Sequence, residues 1–258
     1  MAANRRLRAT IGLPLAGWAM AAFGQIPAIP PVNYPPLPPD AADTAGFAPI
    51  GWRVEREARG DISGDGTADL AFVLRMDDPA NVLSNDGLGD DPFDTNPRLL
   101  GIALGVPDGR YRLVVRDHVL IPRREYPNQS DPFAEEDALF EIARGSLRLS
   151  LHRFMSAGGW DMGSTVFTFR WRDDALRLIG FDYSNVRRNT GCMTTLSINY
   201  LTRRARLAAG RIDTDRDEVL WRRLPARPLP PIDAIGDGLD FDPAGWLSNF
   251  PLDCPVEG

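Results

Sequence analysis

The chain has 258 residues, 43% of them hydrophobic, so it is long enough to bury a sizeable core as one domain with tails. All 29 basic residues are arginine, which a coding bias explains better than a function does, and 35 acidic residues leave a net charge of −6. This acidic balance argues against nucleic-acid binding, which needs a basic face.

Residues 1–24 have the order of a secretory signal peptide. Arg5, Arg6 and Arg8 form a basic start, an apolar stretch follows over residues 11–22, and small residues lead up to Gly24. This order is typical of a cleaved export signal, and the apolar stretch is too short to span a membrane comfortably. We therefore expect a periplasmic or secreted protein with no transmembrane span in the mature chain.

Residues 25–46 are rich in proline and predict an extended linker, because proline favours the polyproline conformation over a packed core. The β domain itself is predicted over residues 47–224. Proline returns after Leu224, yet this last segment also carries Trp246 and Phe250. We therefore expect residues 225–258 to pack back onto the domain as an extended tail.

The most informative stretch reads D-I-S-G-D-G-T-A-D at residues 61–69. Asp61, Ser63 and Asp65 occupy the first, third and fifth places, where calcium loops carry oxygen ligands. The backbone carbonyl of Thr67 falls at the seventh place and the carboxylate of Asp69 at the ninth. Since Ca²⁺ takes about six to eight oxygen ligands, the spacing predicts a calcium site that water molecules complete.

The surroundings of this loop differ from those of a helical EF-hand. Gly66 stands where the chain must turn sharply, but Phe72 occupies the twelfth place, where an EF-hand carries glutamate. Alternating residues at 52–59 and an apolar run at 70–74 predict strands on both sides. A metal-free turn is the alternative, because Asp, Ser and Gly favour turns by themselves. Three carboxylates are more than a turn needs.

A D-x-S-G-D-G-x-x-D loop between strands resembles the calcium loops of FG-GAP and VCBS repeats, as in the propellers of integrin α-chains. Over residues 50–230, the chain also resembles uncharacterised secreted bacterial β proteins that carry such a loop early. The segments that support this wider resemblance are residues 166–170, 178–182 and 197–202. The resemblance implies a calcium-binding β protein without an assigned activity, and a single loop does not predict a complete propeller.

Beyond an acidic loop at residues 77–97, the sequence alternates short strands and turns. Turn signals stand at residues 106–109, 173–174 and 189–191. The predicted strands cover residues 99–104, 111–120, 147–151, 165–171, 175–183, 193–201, 204–211 and 218–222. This spacing predicts a mainly β fold, an antiparallel meander that forms a sandwich or open barrel, with a calcium-loop hairpin and extended proline-rich tails.

Cys192 and Cys254 are the two cysteines of the chain. In an oxidising compartment they are expected to form a disulfide that ties the tail to the domain. Two unrelated thiols are the alternative, because the sequence does not supply the distance between them.

Few residues form a recognisable catalytic pattern. His118 and His152 lack metal-ligand spacing, and no nucleophile elbow or phosphate loop is present in the sequence. The leading hypothesis is a non-enzymatic protein of the bacterial envelope that binds Ca²⁺ and has a structural or binding role. Its partner would be an unknown envelope component or a glycan.

The alternative hypothesis is an exported hydrolase that acts on polysaccharide or peptidoglycan. Its cleft would be lined by Gly158, Gly159 and Trp160, with a pair of carboxylates as the catalytic groups. A deep pocket with converging carboxylates would favour the hydrolase. A flat, hydrated sheet surface would favour the non-enzymatic role.

Overall fold

The computed structural model describes residues 27–134, 138–214 and 217–254, so the predicted signal peptide at residues 1–24 lies outside the described residues. The strands in chain order are β1 (Asp40–Ala41), β2 (Trp52–Gly60), β3 (Asp69–Met76), β4 (Val82–Leu83), β5 (Phe93–Asp94), β6 (Arg98–Gly105), β7 (Tyr111–Asp117), β8 (Phe140–Ala143), β9 (Ser146–Phe154), β10 (Asp161–Arg172), β11 (Ala175–Arg187), β12 (Cys192–Asn199), β13 (Arg204–Arg211) and β14 (Asp217–Arg223). Single 3₁₀ turns lie at Ala45–Phe47, Pro79–Asn81, Ile232–Ala234 and Pro243–Gly245. Within the described ranges, no helix is long and apolar enough to cross a membrane.

Two antiparallel sheets make up the fold. The five-stranded sheet has the order β1-β7-β6-β3-β2, and the seven-stranded sheet is a meander in which each strand from β8 to β14 pairs with the next. β4 and β5 form a separate small hairpin inside the acidic loop, where no strand was predicted. The prediction of a mainly β protein, with antiparallel strands arranged as a sandwich or open barrel, is confirmed.

β3 is buried on both faces, which explains its uninterrupted apolar sequence. Ala71 and Val73 face the main core between the two sheets. Leu70, Phe72 and Leu74 face an outer cluster on the other side of the five-stranded sheet. All five side chains are fully buried. The 61–69 turn leads directly into this strand, so the most buried part of the sheet holds one end of the turn in place.

Glu55 forms a β-bulge in β2. The pairing of β2 with β3 shifts between Val54 and Arg56, which leaves Glu55 without a partner opposite it. Because side chains alternate along a strand, the extra residue reverses the direction of those that follow. Trp52 therefore packs in the outer cluster, whereas Ala58 packs against the main core. The strict alternation predicted for this strand is wrong.

The proline-rich segment packs onto the five-stranded sheet and differs in this respect from the linker predicted over residues 25–46. Tyr34 and Leu37 pack against the outer cluster. The carbonyl of Pro39 accepts a hydrogen bond from the Leu113 N–H at 2.8 Å, and Asp40–Ala41 then pairs with β7 at the sheet edge. An extended proline-rich chain keeps its carbonyls free. The hydrogen bond from the Leu113 N–H of β7 to such a carbonyl holds the segment against the sheet.

The C-terminal segment lies against the part of the main core that the seven-stranded sheet contributes. The ring of Phe241 packs 5.9 Å from that of Phe167 and 5.3 Å from that of Phe181. At its far end, Cys254 is bonded to Cys192 with a Cα–Cα distance of 5.8 Å, which confirms the predicted disulfide. The other tail side chains packed against the main core are Leu239, Trp246, Leu247, Phe250 and Leu252.

Candidate functional site

The 61–69 turn joins β2 to β3, as predicted. Gly64 and Gly66 adopt left-handed backbone conformations, with φ of +84° and +86°. Apart from the adjacent residues, no described atom lies within 4 Å of the position where a Cβ would stand on either glycine. Their requirement for glycine is therefore conformational rather than steric, since a side chain would be strained at this φ.

Asp61 and Asp65 accept hydrogen bonds from the backbone of the turn. The Gly64 N–H donates to Asp61 Oδ1 at 2.6 Å and the Gly66 N–H to Oδ2 at 2.9 Å. The Thr67 N–H donates to Asp65 Oδ1 at 2.7 Å. The bonds from Gly64 and Gly66 lower the pKa of Asp61, because they favour its ionised form. Asp61 is thus held as an anion, and Asp65 is exposed at the rim of the turn.

Asp69 differs from the other acids of the turn because it is fully buried. Its Oδ2 accepts hydrogen bonds from the Ile62 and Ser63 N–H groups, both at 2.9 Å. Its Oδ1 accepts one from the Gly105 N–H, also at 2.9 Å. An ionised carboxylate has about four acceptor sites, and three are occupied here. Asp69 therefore fastens the turn to the end of β6.

The predicted calcium ligands fall into two groups in this geometry. Asp61, Ser63, Asp65 and Thr67 surround the rim, where oxygen donors remain accessible to solvent. Asp69 lies beneath them with most of its acceptor capacity in use. Among the described residues, no group of three or more His, Cys, Asp or Glu side chains is arranged to hold a metal ion. The calcium site therefore stays a prediction, and Asp69 has only one acceptor site left for a ligand.

A second candidate site is a cleft of about 720 Å³ that the sequence did not predict. We call it the tail cleft, because it lies between the ends of β10, β11 and β12 and the tail over residues 239–254. Its lining on the sheet comprises Arg153, Asp161, Tyr183, Asn185, Arg187, Cys192 and Thr194. Its lining on the tail comprises Leu239, Asp240, Phe241, Asp242, Leu247, Ser248, Phe250, Leu252, Asp253 and Cys254.

The floor of the tail cleft continues the sheet face that elsewhere forms the core. In β11, Tyr183 and Asn185 follow the buried Phe181 at alternate positions, so they point to the same side. Across the sheet, Asn185 pairs with Thr194 of β12. The inward face of the sheet thus changes from apolar to polar as it passes beneath the tail. Polar side chains on a covered face indicate a binding surface rather than a packing surface.

Two groups of the floor show what it can bind. Burial raises the pKa of Tyr183, with a smaller opposing influence from the Arg153 charge, so its hydroxyl stays protonated. No described residue forms a hydrogen bond with that hydroxyl. Asp161 Oδ1 accepts a hydrogen bond from Asn185 Nδ2 at 2.9 Å and lies 3.7 Å from Arg187 Nε. The floor therefore offers both donors and acceptors, with Asp161 next to Arg187, and the Arg153 guanidinium donates to the Leu239 carbonyl of the tail.

A buried ion cluster lies on the other sheet, and sequence reasoning also missed it. Arg98 Nε lies 2.6 Å from Glu55 Oε2, and Arg98 Nη1 lies 2.8 Å from Asp131 Oδ1. The side chains of Glu55 and Arg98 are 1% and 4% exposed. Burial alone would raise the pKa of Asp131, but the hydrogen bond and charge of Arg98 outweigh it and lower that pKa. The bulge at Glu55 turns this acid inward, which strict alternation does not predict.

The remaining residues considered for catalysis do not gather in the tail cleft. The His118 ring packs against that of Tyr34, with centroids 4.3 Å apart and ring planes tilted by 39°. The Gly159 carbonyl accepts a hydrogen bond from Arg188 at 2.7 Å, and the ring of Trp160 lies 6.0 Å from the same guanidinium. The predicted Gly158 loop therefore borders the cleft next to Asp161 but does not line it.

Comparison of the chain with protein-family models, with curated proteins and with solved structures finds no match. The resemblance of the 61–69 turn to FG-GAP and VCBS calcium loops therefore stays a prediction.

Proposed function

We propose that this chain is an exported, calcium-binding β protein of the bacterial envelope, with a structural or binding role. The observation that carries the proposal is the rim of the 61–69 turn. There, the ionised Asp61 carboxylate lies 3.4 Å from the Ser63 hydroxyl and Asp65 is exposed, on a turn that leads into the buried β3 strand. Hard oxygen donors of this kind are those that Ca²⁺ prefers.

The disulfide supports the export part of this proposal. Structural disulfides persist in oxidising compartments such as the periplasm and are rare in the cytosol. Cys192 and Cys254 lie 62 positions apart in the sequence and are joined in the fold. Mass spectrometry of the native protein should find a new N-terminus between residues 20 and 25. An intact Met1 in a cytosolic fraction would contradict export.

Calcium should stabilise the folded chain, because the rim is assembled only when β2 and β3 pair. With three ligand side chains at the rim and most of Asp69 engaged elsewhere, affinity should be weak, as in extracellular modules with Kd of about 10⁻⁴–10⁻³ M. At a hundredfold excess over Kd, binding should raise the free energy of unfolding by about 2.7 kcal/mol. Thermal melting in chelator and in millimolar calcium measures this difference.

A matched pair of variants makes the test specific. Asp65→Ala should abolish the calcium-dependent increase in melting temperature. Asp108→Ala is the control, because Asp108 is also an exposed turn residue whose Oδ1 accepts the N–H of the residue two positions on, Arg110, at 3.0 Å. This control should retain the calcium effect. If calcium leaves the wild-type melting temperature unchanged, the turn does not bind the ion.

A further inference from the structure

The tail cleft has a chemistry that points to one class of ligand. At about 720 Å³ it lies within the roughly 300–1,000 Å³ typical of small-molecule sites. We propose that it binds a neutral, polyhydroxylated ligand such as an oligosaccharide. The proposal specifies the ligand of the binding role inferred above, but it does not depend on calcium at the 61–69 turn.

Charge is the first argument for a neutral ligand. On the floor, the Asp161 carboxylate is balanced by Arg187, with Oδ1 3.7 Å from Nε. On the tail, Asp242 is occupied by its own chain, since its Oδ1 accepts the Leu247 N–H at 2.7 Å and its Oδ2 accepts the Ser248 N–H at 2.9 Å. Arg153, Asp240 and Asp253 also line the cleft, so an anion would meet four carboxylates and a cation would meet two guanidinium groups. A neutral ligand meets neither penalty.

Hydrogen-bonding capacity is the second argument. Tyr183, Thr194 and Asn185 place two hydroxyls and an amide side by side on β11 and β12. Each hydroxyl can donate and accept, and the amide does both through separate atoms. The hydroxyls of a sugar have the same dual capacity. A ligand without such groups would leave the polar floor unsatisfied when it displaced water.

The opposite wall supplies the third argument. The tail presents Phe250, Leu247 and Leu252 to the cleft, facing the polar floor. A sugar ring has C–H groups on its faces and hydroxyls on its edge, so it can contact an apolar wall and a polar floor together. The Cys192–Cys254 bond lies in the cleft lining and ties the end of this wall to β12. The disulfide thus fixes the width of the site.

A neighbouring cavity contains a tyrosine that serves as a control for the variants of the tail cleft. About 260 Å³ in volume, it lies on the other side of Phe241 and is lined by Ile198, Leu224, Trp246 and several prolines. Tyr200 also lines it, and burial raises the pKa of that tyrosine to about 12. Tyr200 does not line the tail cleft, so removing its hydroxyl is a matched control for removing that of Tyr183.

The test uses the full mature protein with cellotetraose, maltotetraose and chitotetraose as probes, followed by saturation-transfer NMR and calorimetry. At least one of these should bind, whereas spermidine and citrate should not. Tyr183→Phe and Thr194→Val should each weaken binding by about 3- to 10-fold, because each removes one hydrogen-bonding hydroxyl. Tyr200→Phe and Thr195→Val, the latter on the opposite face of β12, should leave binding unchanged.

Three outcomes would overturn the assignment. The first is that no neutral saccharide binds at millimolar concentration. The second is that spermidine or citrate binds more tightly than any saccharide. The third is that the cleft variants and the control variants weaken binding equally. The melting temperature of each variant, measured alongside, separates local loss of binding from unfolding. Repeating the titration in chelator separates this proposal from the calcium proposal, since saccharide binding should persist there.

Discussion

Replacement of Asp69 by asparagine tests whether this residue is a structural anchor. Asparagine keeps the shape of the side chain but turns one acceptor oxygen into an NH₂ donor. In one orientation of the amide, the NH₂ group faces the Gly105 N–H. In the other orientation, it faces the N–H groups of Ile62 and Ser63. At least one buried hydrogen bond is lost, and the others lose the strength that the negative charge gave them.

The magnitude follows from these three bonds. An unsatisfied buried donor costs about 1–3 kcal/mol, and each surviving bond weakens by about 1 kcal/mol when its acceptor becomes neutral. Asp69→Asn should therefore reduce the free energy of unfolding by about 3–5 kcal/mol. For a chain of this size, the loss corresponds to a decrease in melting temperature of roughly 6–20 °C. Thermal and urea melts in the presence of chelator measure it without any contribution from calcium.

Asp65→Asn is the matched control. Asp65 is exposed and accepts one backbone hydrogen bond, from the Thr67 N–H, which the asparagine oxygen can also accept. In chelator this variant should melt within about 2 °C of the wild type. The anchor interpretation would be refuted if Asp69→Asn also melted within that range, because three hydrogen bonds to a buried side chain cannot be disturbed without a measurable loss.

Three further predictions concern the disulfide and the buried ions. Cys254→Ser should reduce the free energy of unfolding by roughly 4 kcal/mol, since the bond closes a loop of 62 residues, and an unchanged urea midpoint would contradict this. Arg98→Met should reduce it by up to about 3–5 kcal/mol, because the buried Glu55 and the half-buried Asp131 would keep only Arg75 as a shared partner, and an unchanged urea midpoint would show that Arg75 alone compensates them. The pKa of Asp131 is lower in the folded state than the unfolded value of about 3.9, so its contribution is present above about pH 4 and is lost as pH falls below it. In Asp131→Asn, the free energy of unfolding should therefore decrease less between pH 6 and pH 2 than in the wild type. An unchanged decrease would show that Asp131 does not cause the loss of stability in acid.

Local sequence signals predicted most of the strands because they depend on neighbouring residues alone. Apolar alternation identified β9, and the glycine turn before Tyr111 separated β6 from β7. The turn at Asp173 and Asp174, both with positive φ, joins β10 and β11 as predicted. The hairpin of β4 and β5 was missed because two-residue strands are too short to show any periodicity.

The amino-acid sequence by itself determined most of the longer strands and the position of the 61–69 turn, and its two cysteines leave one possible pairing once a disulfide forms within the chain. Only the tertiary structure decided what those residues do together. Asp69 becomes an anchor because Gly105, 36 positions away, donates to it, and Glu55 becomes a buried ion because a bulge reverses the direction of β2. The tail cleft joins Asp161 to residues some eighty positions later. Contacts between residues so far apart in the sequence depend on the strand order and on where the tail crosses the sheet. Neither feature produces a periodic pattern of residues from which it could be predicted.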